Sequence, residues 1–301
     1  MSAYRFCRTD DVALLVSALN RCWSPYFPGE PLTTAAGFKR SIRDLQVWCS
    51  SCMVALSGSD PIGILIGAKR PSGTLIHKIA VHPDHRRQGH ARHLLTSLGS
   101  KLAILGPPRI IAEVPETFAP VRELFSASGY MEEGVLTDYV LRRGSPDHGS
   151  VSRGAGPERA EDGHASRASF VLPVTVDDLA ANGLFEGSPA SWGRSIETVT
   201  ARKDEIAGLA VASDDRIEAY LLYVTGGAES MGTTEIVSLR CLVDDDGARL
   251  TQLLSRLCAQ KIGTITFPKV HSGEMSKERL ERLGFHPAVV HRVYAAMARS
   301  N

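Results

Sequence analysis

Between Leu75 and Arg92 the chain reads Leu-Ile-His-Lys-Ile-Ala-Val-His-Pro-Asp-His-Arg-Arg-Gln-Gly-His-Ala-Arg, a stretch whose residue types suit the holding of an anion. The apolar run ending at Val81 predicts a strand, Pro83-Asp84 breaks it, and apolar residues from Leu94 and Leu95 onward predict a helix. A loop of small residues at the start of a helix aims unpaired N–H groups at one spot, and the helix dipole adds partial positive charge there. Gly89 and Ala91 let the backbone come close to such an anion, while Arg86, Arg87 and Arg92 add charge at its rim. The chemistry is that of gripping a phosphate.

The surrounding elements must place this loop. Tyr4–Arg8 predicts a strand, and Thr9-Asp10-Asp11 caps a helix that starts at Val12 and ends near Tyr26. A helix over Phe38–Leu45 follows, then three strand-like runs at Val47–Leu56, Ile62–Ala68 and Thr74–Val81. His90–Leu105 reads as one helix closed by Gly106-Pro107-Pro108, Arg109–Val114 as a strand, Phe118–Ser128 as a helix and Val135–Leu141 as a strand. The elements thus follow in the order β-α-α-β-β-β-α-β-α-β, an alternation that calls for layers of helix and sheet.

Arg86, Gly89 and Ala91 fit the loop pattern of Gln or Arg, two residues, Gly, one residue, Gly or Ala, and Ile79-Ala80-Val81 followed by Pro83-Asp84 matches the strand end before it. In these features the sequence resembles the GNAT superfamily of N-acetyltransferases. The resemblance implies an α/β fold of mixed, mostly antiparallel sheet and acetyl-CoA as co-substrate. The coenzyme's pyrophosphate would lie on the backbone of Arg86, Arg87, Gln88, Gly89, His90, Ala91 and Arg92, and its pantetheine arm along Ile79, Ala80 and Val81. Transfer to an amine also needs a donor for the carbonyl oxygen, a base for the ammonium and a fate for the thiolate.

The resemblance assigns the base to Glu113 in the Ile-Ile-Ala-Glu-Val run, with His77 as an outside candidate, since Leu75 stands where another branch of the family has its carboxylate. A purely structural Glu113 is the competing reading. Where the family commonly has a Tyr acid, this chain has Phe125, and Phe118 replaces a usual Asn. Either the thiolate leaves unaided, or Tyr130, Tyr139 or water supplies the proton. Trp23, Tyr26 and Phe27 are placed near the acceptor pocket or in ordinary core packing.

At 301 residues the chain suggests two domains, and 43% hydrophobic with 22% charged residues describes a globular protein. A net charge of +1 gives no argument for nucleic acid or an anionic membrane, and the absence of an apolar leader or span predicts a cytoplasmic protein. Six scattered cysteines, with only Cys49 and Cys52 at a suggestive spacing, favour small apolar side chains over a metal or redox site, and the histidines around the loop fit no zinc motif; no metal is expected.

Gly and Ser crowd residues 144–168, which read as a linker between domains at 1–143 and 169–301. The second half repeats the plan of the first: strands at Phe170–Leu172, Ile206–Ala212, Ile217–Val224, Glu235–Val243 and Thr264–Phe267, with helices at Val176–Leu184, Ala248–Gln260 and Ser276–Leu283. Leu280-Glu-Arg-Leu-Gly-Phe285 also resembles the family. Yet Asp244-Asp245-Asp246 stands where a pyrophosphate would lie, so this copy is expected to be degenerate; a cation site at these carboxylates is the lesser alternative to a solvated loop or helix cap.

The expectation is an acetyl-CoA-dependent N-acetyltransferase acting on a primary amine of a small molecule or peptide, with its site in the N-terminal domain. A non-catalytic acyl-CoA sensor or interaction module is the alternative, and a longer acyl donor or an ester product a third possibility.

Overall fold

The computed structural model describes residues 2–141, 170–185, 190–226, 232–260 and 263–299. The expected linker at 144–168 lies outside them. The first part of the chain forms β1 (Ser2–Phe6), α1 (Val12–Cys22), α2 (Ala35–Leu45), β2 (Met53–Ser57), β3 (Asp60–Arg70), β4 (Gly73–Val81), α3 (His90–Leu105), β5 (Arg109–Pro115), α4 (Ala119–Ala127) and β6 (Met131–Leu141). The later part forms β7 (Phe170–Val174), α5 (Val176–Ala181), α6 (Ile196–Ala201), β8 (Ala207–Ala212), β9 (Ile217–Thr225), β10 (Thr233–Cys241), α7 (Ala248–Gln260), β11 (Thr264–His271), α8 (Lys277–Arg282) and β12 (His286–Met297).

These elements gather into two compact units that do not follow chain order. One contains Met1–Thr137, Pro189–Arg202 and Val289–Asn301; the other contains Asp138–Ser188 and Lys203–Ala288. A boundary at 143/169 therefore separates the halves of the sequence but not the units. In the first unit the strands lie in the order β1-β2-β3-β4-β5-β12, with β12 antiparallel to β5 and Val293 opposite Glu113. The second takes β6 from Asp138 onward, and its strands lie in the order β6-β11-β10-β9-β8-β7. The late strand β12 had no counterpart among the sequence expectations.

Apolar periodicity explains the layers of the first unit. Helix α3 buries Leu94, Leu95, Leu98 and Leu102, one stripe at helical spacing, in a core shared with Leu65, Ile110 and Phe125. On the other sheet face α1 buries Leu15, Ala18 and Leu19 against Ile64, Ile66 and Leu75, joined by Phe38 of α2. Strand β3 is buried along nearly all its length, as expected of a strand covered on both faces. Helix α2 starts three residues earlier than its apolar pattern, because Thr34 caps it by accepting the Gly37 N–H at 3.0 Å.

Cys49–Ser51 is a 3-10 turn and not part of a strand. The turn lies against Gly67 of β3, where a Cβ would come within 2.5 Å of the Ser51 carbonyl oxygen, so only glycine permits this approach. Cys49 and Cys52 are both buried free thiols, and burial pushes both pKa values up. Among the described residues no His, Cys, Asp or Glu group is placed to hold a metal, and no helix is long and apolar enough to cross a membrane.

The segment at 190–202 also went unread in the sequence, and it is anchored in the first unit. Trp192 is buried, and its indole N–H donates to the Leu45 carbonyl at 2.9 Å. Arg70 lies under the indole at 4.1 Å and donates to Gln46 Oε1, Ser195 Oγ, Thr198 Oγ1 and the Trp192 carbonyl. Arg70→Met keeps the stem but deletes every donor, leaving several buried acceptors unpaired. We expect it to cost about 2–3 kcal/mol, read as a lower urea midpoint at unchanged m-value.

Candidate active site

Strand β4 is paired along β3, but its register with β5 covers only Thr74 with Ile110 and Leu75 with Ile111. Beyond Leu75, β5 continues alongside β12 while β4 diverges from it. The divergence leaves the β5-side edge of β4, including Ile79–Val81, without a strand partner. Register within β3–β4 also shifts here: Ile66 faces Lys78 and Gly67 faces Ile76, so His77 is the extra residue of a β-bulge. A bulge re-aims the backbone groups around it, which suits the donor that a carbonyl oxygen needs.

At the end of β4 the chain makes a short 3-10 turn over Pro83–His85 and enters α3 through two left-handed residues, Arg87 (φ 61°) and Gly89 (φ 83°). Gly89 is the N-cap and offers no side-chain acceptor to the helix, whose first i to i−4 bond runs from His93 N–H to the Gly89 carbonyl. The amides of His90, Ala91 and Arg92 thus have no intrahelical partners. A Cβ built on Gly89 would meet nothing within 4 Å, so the approach to these amides is open. Arg86, Arg87, Gln88 and Arg92 are exposed around it.

Arg86 has a defined position: its Nε donates to Tyr26 Oη at 2.6 Å and its guanidinium lies 4.5 Å from the Tyr26 ring centre. The Tyr26 hydroxyl in turn donates to the Val81 carbonyl at 2.6 Å. Tyr26 therefore ties the loop to the last residue of β4. Beside it Trp23 stacks on Phe27 (4.5 Å), and Phe27 meets Phe118 edge-on (5.5 Å). Lys78 places its ammonium 4.6 Å from the Trp23 ring centre, and burial pulls its pKa down, partly opposed by Glu30. The three aromatic residues expected near an acceptor pocket thus surround the end of β4.

Glu113, on β5, accepts the Trp192 backbone N–H at 3.0 Å through Oε1. The sequence could not foresee this partner, because 79 positions separate the two residues. Leu75 is buried apolar strand. Phe125 is fully buried, T-shaped to Tyr130 and stacked on Tyr294. Tyr130 is itself buried, and burial drives its hydroxyl pKa up; Tyr139 belongs to the core of the other unit. Both tyrosines considered as substitutes for the acid are thus committed to packing.

The histidines of the loop are not all surface residues. His90 is buried, its Nδ1 lies 2.6 Å from Tyr4 Oη, and its Nε2 is buried without a hydrogen-bond partner. Burial first, then the charges of His85 and His93, hold its pKa below the ordinary 6.5. The folded state prefers neutral imidazole, so this contribution to stability is complete above about pH 6.5 and is lost as pH falls through the depressed folded value. We expect the urea midpoint to fall between about pH 7.5 and about pH 5, with a smaller fall in His90→Leu.

Residues 13–130 match the family described as Acetyltransferase (GNAT) family. They form a GNAT domain. Across the whole chain the fold matches a tandem GNAT protein from the clavulanic acid biosynthesis pathway, with TM-score 0.65, 14% identity and 100% of each chain covered. A GCN5-related N-acetyltransferase from Sphaerobacter thermophilus gives TM-score 0.65 at 12% identity, covering 99% of this chain and 96% of that one. A putative acetyltransferase from Pyrococcus horikoshii gives 0.61 at 14%, covering 99% and 90%. The tandem GNAT fold expected from the repeated element order is therefore present, and residues 13–130 match the acetyltransferase family model.

In the second GNAT unit β10 and β11 also pair only at their starts, Thr233–Glu235 against Thr264–Thr266, and β10 carries a register shift at Val237. Its loop keeps two left-handed residues, Asp246 (φ 52°) and Gly247 (φ 92°), ahead of α7. Here the Asp245 carboxylate takes the N–H groups of Gly247 (3.0 Å) and Arg249 (2.7 Å) and pairs with the Arg249 guanidinium. Despite the opposing cost of burial, these hydrogen bonds hold its pKa down at about 2. A side chain thus occupies amides that the first unit leaves open.

Proposed function

We propose that the chain is an acetyl-CoA-dependent N-acetyltransferase whose N-terminal GNAT unit binds the coenzyme and acetylates a primary amine of a small molecule or peptide. The observation that carries this reading is the contrast between the two loops: open amides behind Gly89, amides filled by Asp245 in the second copy. The diphosphate rests on the N–H groups of His90, Ala91 and Arg92, with Arg87 and Arg92 at its rim. The pantetheine arm lies along Ile79–Val81 as an added strand on the open edge of β4.

The thioester then sits beside the bulge at His77, where a β4 N–H polarises its carbonyl. The amine attacks the carbonyl carbon, its proton passes to Glu113 directly or through a water, and the C–S bond breaks to release thiolate. The Trp192 N–H orients the Glu113 carboxylate for this task. With Phe125 and Tyr130 both packed in the core, the thiolate leaves without a tyrosine acid, which a thiol of pKa ~8.5 allows. Burial of Phe125 also favours a second reading, an acyl-CoA sensor without turnover. Thiol release from acetyl-CoA, followed with a panel of primary amines, separates the two: binding with no amine-dependent release supports the sensor.

A further inference from the structure

The second GNAT unit contains a cavity of about 300 Å³ at the divergence of β10 from β11, bounded by the end of β10 and by the turn leading into α8. Three charged side chains line it: Arg240, Arg279 and Glu274. Two guanidinium groups face one carboxylate, so the lining carries a net positive charge. Arg240 donates to the Leu184 carbonyl at 3.0 Å and also hydrogen-bonds the Tyr220 hydroxyl. Arg279 has its Nε buried without a hydrogen-bond acceptor.

Glu274 is part of the lining itself, and three other carboxylates of the unit are engaged elsewhere. Asp245 and Glu218 pair with Arg249, and Asp246 pairs with Arg282 at 2.6 Å. A buried guanidinium N–H without an acceptor is costly, and a ligand oxyanion removes that cost with a charge-assisted bond. Ser272 and Ser276 add hydroxyls to the lining, Leu239 and Met275 apolar surface. Asp245 already holds the loop N–H groups of Gly247 and Arg249, but the cleft of the unit remains.

We infer that the C-terminal GNAT unit binds a small organic oxyanion, a carboxylate or a phosphoryl group, in the cleft lined by Arg240 and Arg279. This site is independent of coenzyme binding in the N-terminal unit. Succinate and inorganic phosphate are to be titrated separately into the ¹⁵N-labelled full chain at constant ionic strength, with sodium chloride as the control. The side-chain Nε–H resonance of Arg279, assigned by its loss in Arg279→Lys, should shift saturably with one of them. A response to succinate alone identifies a carboxylate ligand, and a response to phosphate alone a phosphoryl ligand.

Arg279→Gln should weaken the binding by about tenfold or more, followed on backbone amides of Gly273 and Ser276, whereas Gly89→Glu should leave it unchanged. A drift no different from that in chloride overturns the inference, as does saturable binding that survives Arg279→Gln. A shift of the Arg279 resonance by acetyl-CoA and by neither small anion overturns it too, since the cleft would then be a coenzyme site. If the Arg279 variants fail to fold, the wild-type titration, with the resonance assigned from through-bond spectra, decides by itself.

Discussion

Gly89→Glu is expected to raise the acetyl-CoA dissociation constant by about 100-fold or more in calorimetry, a loss of ~2.7 kcal/mol or greater. Two costs add. The position has φ 83°, and an L side chain held in that left-handed region is strained by about 1–2 kcal/mol. The carboxylate also stands at the amides that receive the diphosphate, and like unit charges at about 5 Å repel by ~3 kcal/mol at an effective dielectric near 20. Because a Cβ at Gly89 meets nothing within 4 Å, the variant should fold. Gly89→Ala isolates the strain and should weaken binding far less. Wild-type affinity in Gly89→Glu would remove the coenzyme from this loop.

Glu113→Gln is expected to lower kcat by about 10²–10⁴-fold, the usual contribution of a positioned base, while the acetyl-CoA dissociation constant stays at its wild-type value. The amide keeps a carbonyl oxygen to accept the Trp192 N–H, so the contact at 3.0 Å survives, while the proton acceptor and the charge felt by Arg70 are lost. Stability should therefore change little. A kcat within about threefold of wild type, measured by thiol release at saturating amine, would return Glu113 to a purely structural role.

The two loops show how much a short sequence pattern can carry. Arg86-x-x-Gly89-x-Ala91 and Asp244-Asp245-Asp246-Gly247-Ala248 both place a left-handed glycine before a helix, since only glycine adopts that conformation without strain. What differs is the charge of the residues around it, and charge is written in the sequence. The repulsion expected from three carboxylates takes a specific form in the fold: Asp245 acts as a built-in anion, and Asp246 is drawn away to Arg282.

The sequence by itself determined the elements that local patterns encode. Helix α3 follows from its leucine spacing and flanking glycines, α7 from the same kind of stripe, and the succession of strands and helices in both halves from alternation and turn residues. It also determined the anion-accepting loop, because a glycine N-cap and neighbouring arginines act within a few residues of one another. Tertiary structure alone decided which unit β12 and Trp192 belong to, where β4 parts from β5, and that Glu113 has a backbone N–H for a partner. Those features depend on pairing between residues far apart in the chain, where the free energy lies in buried area and satisfied hydrogen bonds, and no local pattern records which of the possible partners wins.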